Sequence, residues 1–257
     1  MKALLAFVLL AAPAAAGQRL LLVGGGPRPP EALALFGVWA GGPKARILVI
    51  AWGKEESSGT LAAVRADFAP LSPAAVEAAP QPPLSAESRA AFLAQLSQAT
   101  AVFFGGGDQS RIMDVLADAP LAEALRGRYR AGIPFGGTSA GTAIMSPVMI
   151  TGEGEPESLD AARYGTRGGL GLLPGAILDQ HFLKRQRANR LLALILAGKS
   201  ELGLGIDEGA ALAVEDGRRA RVFGGSVLAV VRERDGRLIL DALAPGSAYD
   251  VNKRRRL

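Results

Sequence analysis

Apolar and polar positions along this chain fall into two alternating rhythms. Continuous apolar runs at Arg19 to Val23, Arg46 to Ala51 and Ala101 to Phe104 have the length of strands buried on both faces. Between them, Pro30 to Ala40, Thr60 to Phe68 and Ser85 to Gln98 place apolar residues at helical spacing, the last opened by a Ser-Ala-Glu-Ser cap region. A short strand is expected near Ala74 to Ala78, and a further periodic segment starts near Arg111. Strand then helix, repeated, predicts an α/β fold: a mostly parallel sheet with helices on both faces. Ligands of such sheets sit at the carboxyl ends of the strands.

The rhythm then changes twice. Thr151 to Gly169 is polar, carries Glu153, Glu155, Glu157 and Asp160, and is expected to be a long functional loop. Gly171 to Leu178 follows as an extended piece, Lys184 to Ala197 as a helix with a basic first half, and Leu202 to Ile206 as a strand. From Ala210, short strands separated by turns at Asp216-Gly217, Gly224-Gly225 and Asp235-Gly236 predict a C-terminal antiparallel meander.

With 257 residues, 49% of them apolar, the chain can bury the core of one domain. Met1 to Ala16 reads as an export leader: Lys2, an apolar run from Ala3 to Ala12, then Pro13 and Ala14-Ala15-Ala16 before Gly17. That run is shorter than the roughly 20 residues of a spanning helix, so stable membrane insertion is not expected. Residues 17–257 are expected to form a single α/β hydrolytic domain, exported to the periplasm or beyond. The absence of cysteine excludes disulfides and thiol chemistry, and a lone histidine makes a catalytic zinc site improbable. The net charge of +5 derives partly from Lys253-Arg254-Arg255-Arg256, a solvated tail rather than a nucleic-acid site. Oligomeric state stays open, a homodimer included.

The candidate chemistry centres on Ile133 to Ile150. Gly137 and Gly141 stand two before and two after Ser139, with Gly136 and Ala140 also small, the spacing of a nucleophile elbow between strand and helix. An ordinary turn with a capping serine fits the stretch equally. His181, the only histidine, lies just beyond a predicted strand, and imidazole has the pKa a serine's base needs. If Ser139 is a nucleophile using histidine, only His181 can serve. Among carboxylates to orient the imidazole, Glu157 is the first choice, with Glu155, Asp160, Asp207 and Glu208 open. The Ala140 amide and an amide from Gly105-Gly106-Gly107, with Gly106 and Gly107 the candidates, would form the oxyanion hole. Arg185, Arg187 and Arg190 follow the histidine and suit an anionic substrate, although a solvated basic helix face would look the same.

The first glycine loop, Gly24-Gly25-Gly26-Pro27, superficially suggests a dinucleotide site. No G-x-x-G follows it, and the next strand ends at Trp52 without an acidic residue for a ribose, so no cofactor is expected.

Gly105-Gly106-Gly107-Asp108-Gln109, Gly137-Thr138-Ser139-Ala140-Gly141, Asp179-Gln180-His181-Phe182 and Gly205-Ile206-Asp207-Glu208 together resemble the cyanophycinases, relatives of the aspartyl dipeptidases. The resemblance spans most of the chain after residue 100 and implies a class I glutamine-amidotransferase-like fold. It implies hydrolysis of β-aspartyl-arginine linkages of cyanophycin, with Ser139 as nucleophile, His181 as base and Glu157 as acid. Gln109, Asp179, Gln180, Arg185, Arg187 and Arg190 match positions associated with substrate binding. The first hundred residues match less clearly, since the Gly24 to Pro30 stretch departs from the acidic, lysine-bearing loop of that family. A peptidase of other aspartyl peptides, or an inactive carboxylate-binding protein, stays open.

Overall fold

The structure, a computed structural model, describes residues 17–154 and 157–257. The leader read at Met1 to Ala16, and Glu155, lie outside the described residues. In chain order the elements are β1 (Arg19–Val23), α1 (Pro30–Trp39), β2 (Arg46–Ile50), α2 (Ser58–Phe68), β3 (Ala75–Ala78), α3 (Ala86–Gln98), β4 (Ala101–Phe104), α4 (Gln109–Val115), α5 (Ala119–Arg130), β5 (Phe135–Thr138) and α6 (Ala140–Ala143). The second half comprises β6 (Val148–Gly154), β7 (Tyr164–Gly168), β8 (Ala176–Gln180), α7 (Ala188–Leu196), β9 (Leu202–Ile206), β10 (Ala210–Glu215), β11 (Arg219–Gly224), β12 (Val227–Arg232), β13 (Leu238–Leu243), β14 (Ala248–Asp250) and β15 (Arg255–Arg256).

The first half builds the parallel part of a nine-stranded sheet ordered β15-β14-β11-β10-β1-β5-β4-β2-β3. Parallel pairing runs from β1 through β5, β4 and β2 to β3. Period-two alternation divides its side chains between two faces. Leu21, Val23, Val49 and Phe103 meet Phe36 of α1 and Phe68 of α2, while Leu22, Ile50 and Phe104 meet Phe92 of α3 and Leu125 of α5. Both faces being covered, these strands read in sequence as unbroken apolar runs.

A second, four-stranded sheet is ordered β13-β12-β9-β8, with β8 and β9 parallel. Leu178, Leu202 and Leu204 join the cluster that holds Leu22 and Phe104, so the two sheets share a core. Ile177 and Val230 face the other way, against Leu191, Leu194 and Ile195 of α7.

Three expectations need correction. Thr151 to Gly169 is not a loop throughout: β6 and β7 form an antiparallel hairpin, and a register shift between Ile150 and Gly154 breaks the alternation that would have revealed it. The basic segment after His181 is not helical from Lys184. Asp207 Oδ1 accepts the amides of Leu183 and Lys184, Gln186 takes φ 52°, and α7 begins only at Ala188. The C-terminal strands pair antiparallel but form no single meander. The β10–β11 hairpin extends the large sheet, β12–β13 extends the small one, and β14 and β15 return to the large one.

At the strand-to-helix turn after β5 there is no space for a side chain. A methyl group on Gly137 would lie 2.4 Å from the carbonyl oxygen of Gly141, and one on Gly141 would lie 2.4 Å from that of Phe104. Backbone cannot yield as a flexible side chain does, so Gly141→Ala is expected to destabilise the fold by about 1–3 kcal/mol, the usual cost of overpacking. Urea denaturation measures it, and a change below about 0.5 kcal/mol, typical of an unconstrained surface site, would show that the turn is not tightly packed.

Candidate active site

Strand β5 delivers the chain into this turn, and Ser139 absorbs the bend with φ 54° and ψ −115°. That conformation is rare for a residue with a side chain and persists only where surroundings enforce it. Here the Ser139 amide donates to Val23 O at 3.0 Å, and the buried Thr142 hydroxyl reaches Val23 O and Gly137 O at 2.7 and 2.8 Å. The half-buried Ser139 side chain stands at the carboxyl edge of the parallel strands, as the sequence predicted.

His181 arrives from β8 and meets it. The imidazole Nε2 lies 2.8 Å from Ser139 Oγ, and Nδ1 lies 2.5 Å from Oε1 of Glu208. With a carboxylate at Nδ1, the ring carries its proton there and donates it to Glu208, leaving Nε2 to accept from the serine. Gln180 Oε1 is a second acceptor for the serine proton at 3.3 Å, but the shorter contact is to imidazole. The His181 amide donates to Gly24 O at 2.7 Å, and His181 itself takes φ 48°. Gly25, at φ 114°, lies so close over the ring that an added methyl would come within 2.2 Å of Cε1. The Gly24 loop is thus a wall of this site.

Burial lowers the pKa of His181 below its ordinary value, and this outweighs the opposing hydrogen bond to Glu208. Arg185 and Arg187 add to the lowering through their positive charge. The imidazole is therefore neutral, and a proton acceptor, at neutral pH.

Glu157, the first choice for the carboxylate, is an exposed residue past the end of β6. Strand β6 is hydrogen-bonded to β7 and not to the β8–β9 pair that positions His181. Glu208 has the place because it follows β9, whose Ile206 is in register with Gln180 immediately before His181. Asp207, beside it, is engaged with the Leu183 and Lys184 amides, and Asp160 caps the turn Ala161–Arg163.

The glycines expected to supply amides are next to the serine. A methyl on Gly106 would lie 3.4 Å from Ser139 Cβ, and one on Gly107, at φ 132°, would lie 2.2 Å from Gly53 O. Ala140 is the first residue of α6, where an amide has no intrahelical acceptor. Donors at such a helix start can receive a developing oxyanion.

The six residues matched to substrate binding divide. Asp179 and Arg190 are both buried and are paired with each other: Arg190 Nε donates to Asp179 Oδ2 at 2.7 Å, and Nη2 bonds Oδ1. Neither is free to clamp a ligand, which corrects their assignment. Gln109 is buried and gives its amide to Ile150 O at 3.0 Å. Arg187 Nη1 donates to Gln180 O at 2.7 Å. Burial, with Arg190 and Arg185 nearby, pushes its pKa down to about 10, still charged at neutral pH. Arg185 is exposed, and Gln180 faces Ser139. Among the described residues no group of three or more His, Asp and Glu side chains is placed to hold a metal.

Breaking the buried Asp179–Arg190 pair leaves one charge unpaired. Arg190→Met is expected to cost about 3–5 kcal/mol, and the double replacement Asp179→Leu/Arg190→Met to cost less than that single change. Urea melts of both variants decide it, and a single mutant within about 1 kcal/mol of wild type would mean the pair does not hold β8 to α7.

Known proteins resemble this chain in sequence and in fold. A cyanophycinase of Geminocystis herdmanii is 39% identical over 137 residues, 53% of this chain and 50% of that protein. A peptidase E of Streptomyces coelicolor is 36% identical over 161 residues, 60% of each chain. The chain spans about half the length of the curated cyanophycinases it matches. The crystal structure of a peptidase from an acI-B1 Actinobacterium superposes with a TM-score of 0.69 at 20% identity, covering 92% of this chain and 98% of that one, which shows a shared fold. The profile of peptidase family S51 matches residues 72–222. With the match extending over more than half its length, the chain belongs to peptidase family S51.

Proposed function

We propose that the protein is a serine peptidase with Ser139 as nucleophile, His181 as general base and acid, and Glu208 as the orienting carboxylate. The observation that carries the reading is the unbroken chain from Ser139 Oγ through imidazole to Glu208, with contacts of 2.8 and 2.5 Å. In this reading Oγ attacks the scissile carbonyl as its proton passes to His181 Nε2. Glu208 stabilises the resulting imidazolium. The amides of Ala140 and of Gly106 or Gly107 receive the carbonyl oxygen as it becomes negative. The imidazolium protonates the departing amine, and a water activated by the same nitrogen then releases the acyl group.

For substrate, the reading favours β-aspartyl-arginine linkages of cyanophycin. It is supported by the relatives named cyanophycinase and by the cationic turn bearing Arg185 and Arg187. A second reading, aspartyl peptides without arginine groups, is favoured by the engagement of Asp179 with Arg190, which removes an acceptor for a substrate guanidinium. Incubating the protein with insoluble cyanophycin and with aspartyl dipeptides, then weighing the products by mass spectrometry, separates the two. Export after loss of the leader and a class I glutamine-amidotransferase-like classification belong to the same reading. So does assembly as a homodimer.

Ser139→Ala and His181→Ala are each expected to abolish turnover, and the double mutant to be no slower than either. The rate should rise with pH through the lowered pKa of His181, so the ascending limb lies below the ordinary histidine range. Glu208 raises that pKa, so Glu208→Gln should move the limb to still lower pH while reducing kcat by about 10⁴-fold. Glu157→Gln should change neither. Equal losses at Glu157 and Glu208 in steady-state kinetics would refute the choice of acid.

A further inference from the structure

The outer strands of the two sheets differ in how their outward backbone groups are satisfied. On β3, at one end of the large sheet, side chains take the outward carbonyls: Arg65 Nε donates to Val76 O at 2.9 Å and Gln95 Nε2 to Ala78 O at 3.3 Å. At the other end, β15 consists of two arginines. On β8, at one end of the small sheet, Leu178 N donates to the buried Ser146 Oγ at 2.7 Å. Capped groups, charged residues and covering segments keep a sheet edge from pairing with another chain.

Strand β13, the remaining edge, lacks such protection over its first half. Glu233 N donates to Arg237 O at 2.9 Å, so bonding alternates along the β12–β13 ladder and Leu238, Leu240 and Ala242 direct their backbone groups outward. The carbonyl of Ala242 is indeed found there, accepting from Arg256 Nη2 at 2.7 Å. Among the described residues no side chain takes the corresponding groups of Leu238 and Leu240. The side chains at this edge are also apolar, Ile239 being 50% and Leu240 53% exposed. An edge of this kind is a template for another strand.

The sequence of β13 fits a second copy of itself. A twofold axis through Ile239 sets two such strands antiparallel, with Leu238 opposite the partner's Leu240, Ile239 opposite its own copy and Arg237 opposite the partner's Asp241. Both leucines carry outward groups, so the two leucine pairs exchange backbone hydrogen bonds in both directions. Apolar residues then face apolar ones, and a cation faces an anion. Arg237 is otherwise held only by the exposed Asp235, a pairing that costs little to give up. An axis through Leu240 would instead need the Ala242 carbonyl, which Arg256 occupies, and would set Ile239 against Asp241.

We infer that the β13 edge is a homodimer surface, joining the small sheets of two protomers into one continuous sheet about a twofold axis at Ile239. This surface rests on the homodimer reading and is independent of the catalytic residues.

Sedimentation velocity on the full chain, over a range of concentrations, tests it. Wild type should dimerise reversibly, and Ile239→Lys, which sets two lysines face to face, should raise the dissociation constant about tenfold or more. Because position 239 is exposed, the variant should fold as wild type does. Cross-linking reads the register. The chain has no cysteine. Opposed residues that do not bond each other across antiparallel strands stand about 4.5 Å apart at Cα, within disulfide reach. Under mild oxidation Ile239→Cys should therefore form a covalent dimer at least about fivefold faster than Leu240→Cys. A dimer that Ile239→Lys leaves intact, or that Ile239→Cys cross-links no faster than Leu240→Cys, would keep the homodimer and overturn this surface. Wild-type protein that stays monomeric up to about 0.5 mM would overturn both.

Discussion

The parallel pairing of β8 with β9 is the constraint on which the site depends. Parallel neighbours leave a sheet on the same side, so Gln180 in register with Ile206 forces His181 and the Asp207-Glu208 pair to emerge together. Glu208 then reaches Nδ1, while Asp207 fixes the following turn through the Leu183 and Lys184 amides. Ser139 comes from the other sheet, through the pairing of Val23 with Thr138. The two sheets are joined at this edge by His181 N to Gly24 O at 2.7 Å and Gly209 N to Gly25 O at 3.0 Å. The serine and the imidazole are thus held together by the Gly24 loop, a segment that contributes no functional side chain.

This arrangement explains which parts of the site were legible beforehand. Ser139 is marked locally, because the steric demand of its turn writes small residues into the sequence on both sides. His181 is marked by being the only histidine and by following an apolar strand. The choice among carboxylates carries no local mark. Glu157 lies between serine and histidine in sequence, but what matters is register across a sheet, and register between β8 and β9 is not written in either strand alone. The motif containing Glu208 was visible; its position beside the histidine was not. Asp179 and Arg190 failed for a similar reason. Read singly each is a ligand for the opposite charge, and only the fold, by burying both, makes them ligands for each other.

The same distinction runs through the fold. The doubly covered strands β1, β2 and β4 were readable because burial on both faces leaves an unbroken apolar run. The β6–β7 hairpin was not, since its register shift scrambles the alternation and its composition is polar. The late strands were recognised as antiparallel from their turns. Turns specify how neighbours pair but not which sheet a hairpin joins, and β12–β13 joins a different one from β10–β11.

Charge around the imidazole completes the physical picture. Of the three arginines after His181, Arg190 is neutralised by Asp179, while Arg187 and Arg185 leave positive potential at the ring. Positive potential and burial both disfavour imidazolium in the resting state, and Glu208 opposes them. The balance keeps Nε2 unprotonated and able to take a proton from Ser139. It also means that a substrate carboxylate settling near these cations would weaken their effect on the ring and ease its protonation as the serine attacks. An anionic substrate would then do more than bind: by screening the arginines it would raise the basicity of the imidazole when a base is needed. Arg185 and Arg187 on their own hold that basicity down.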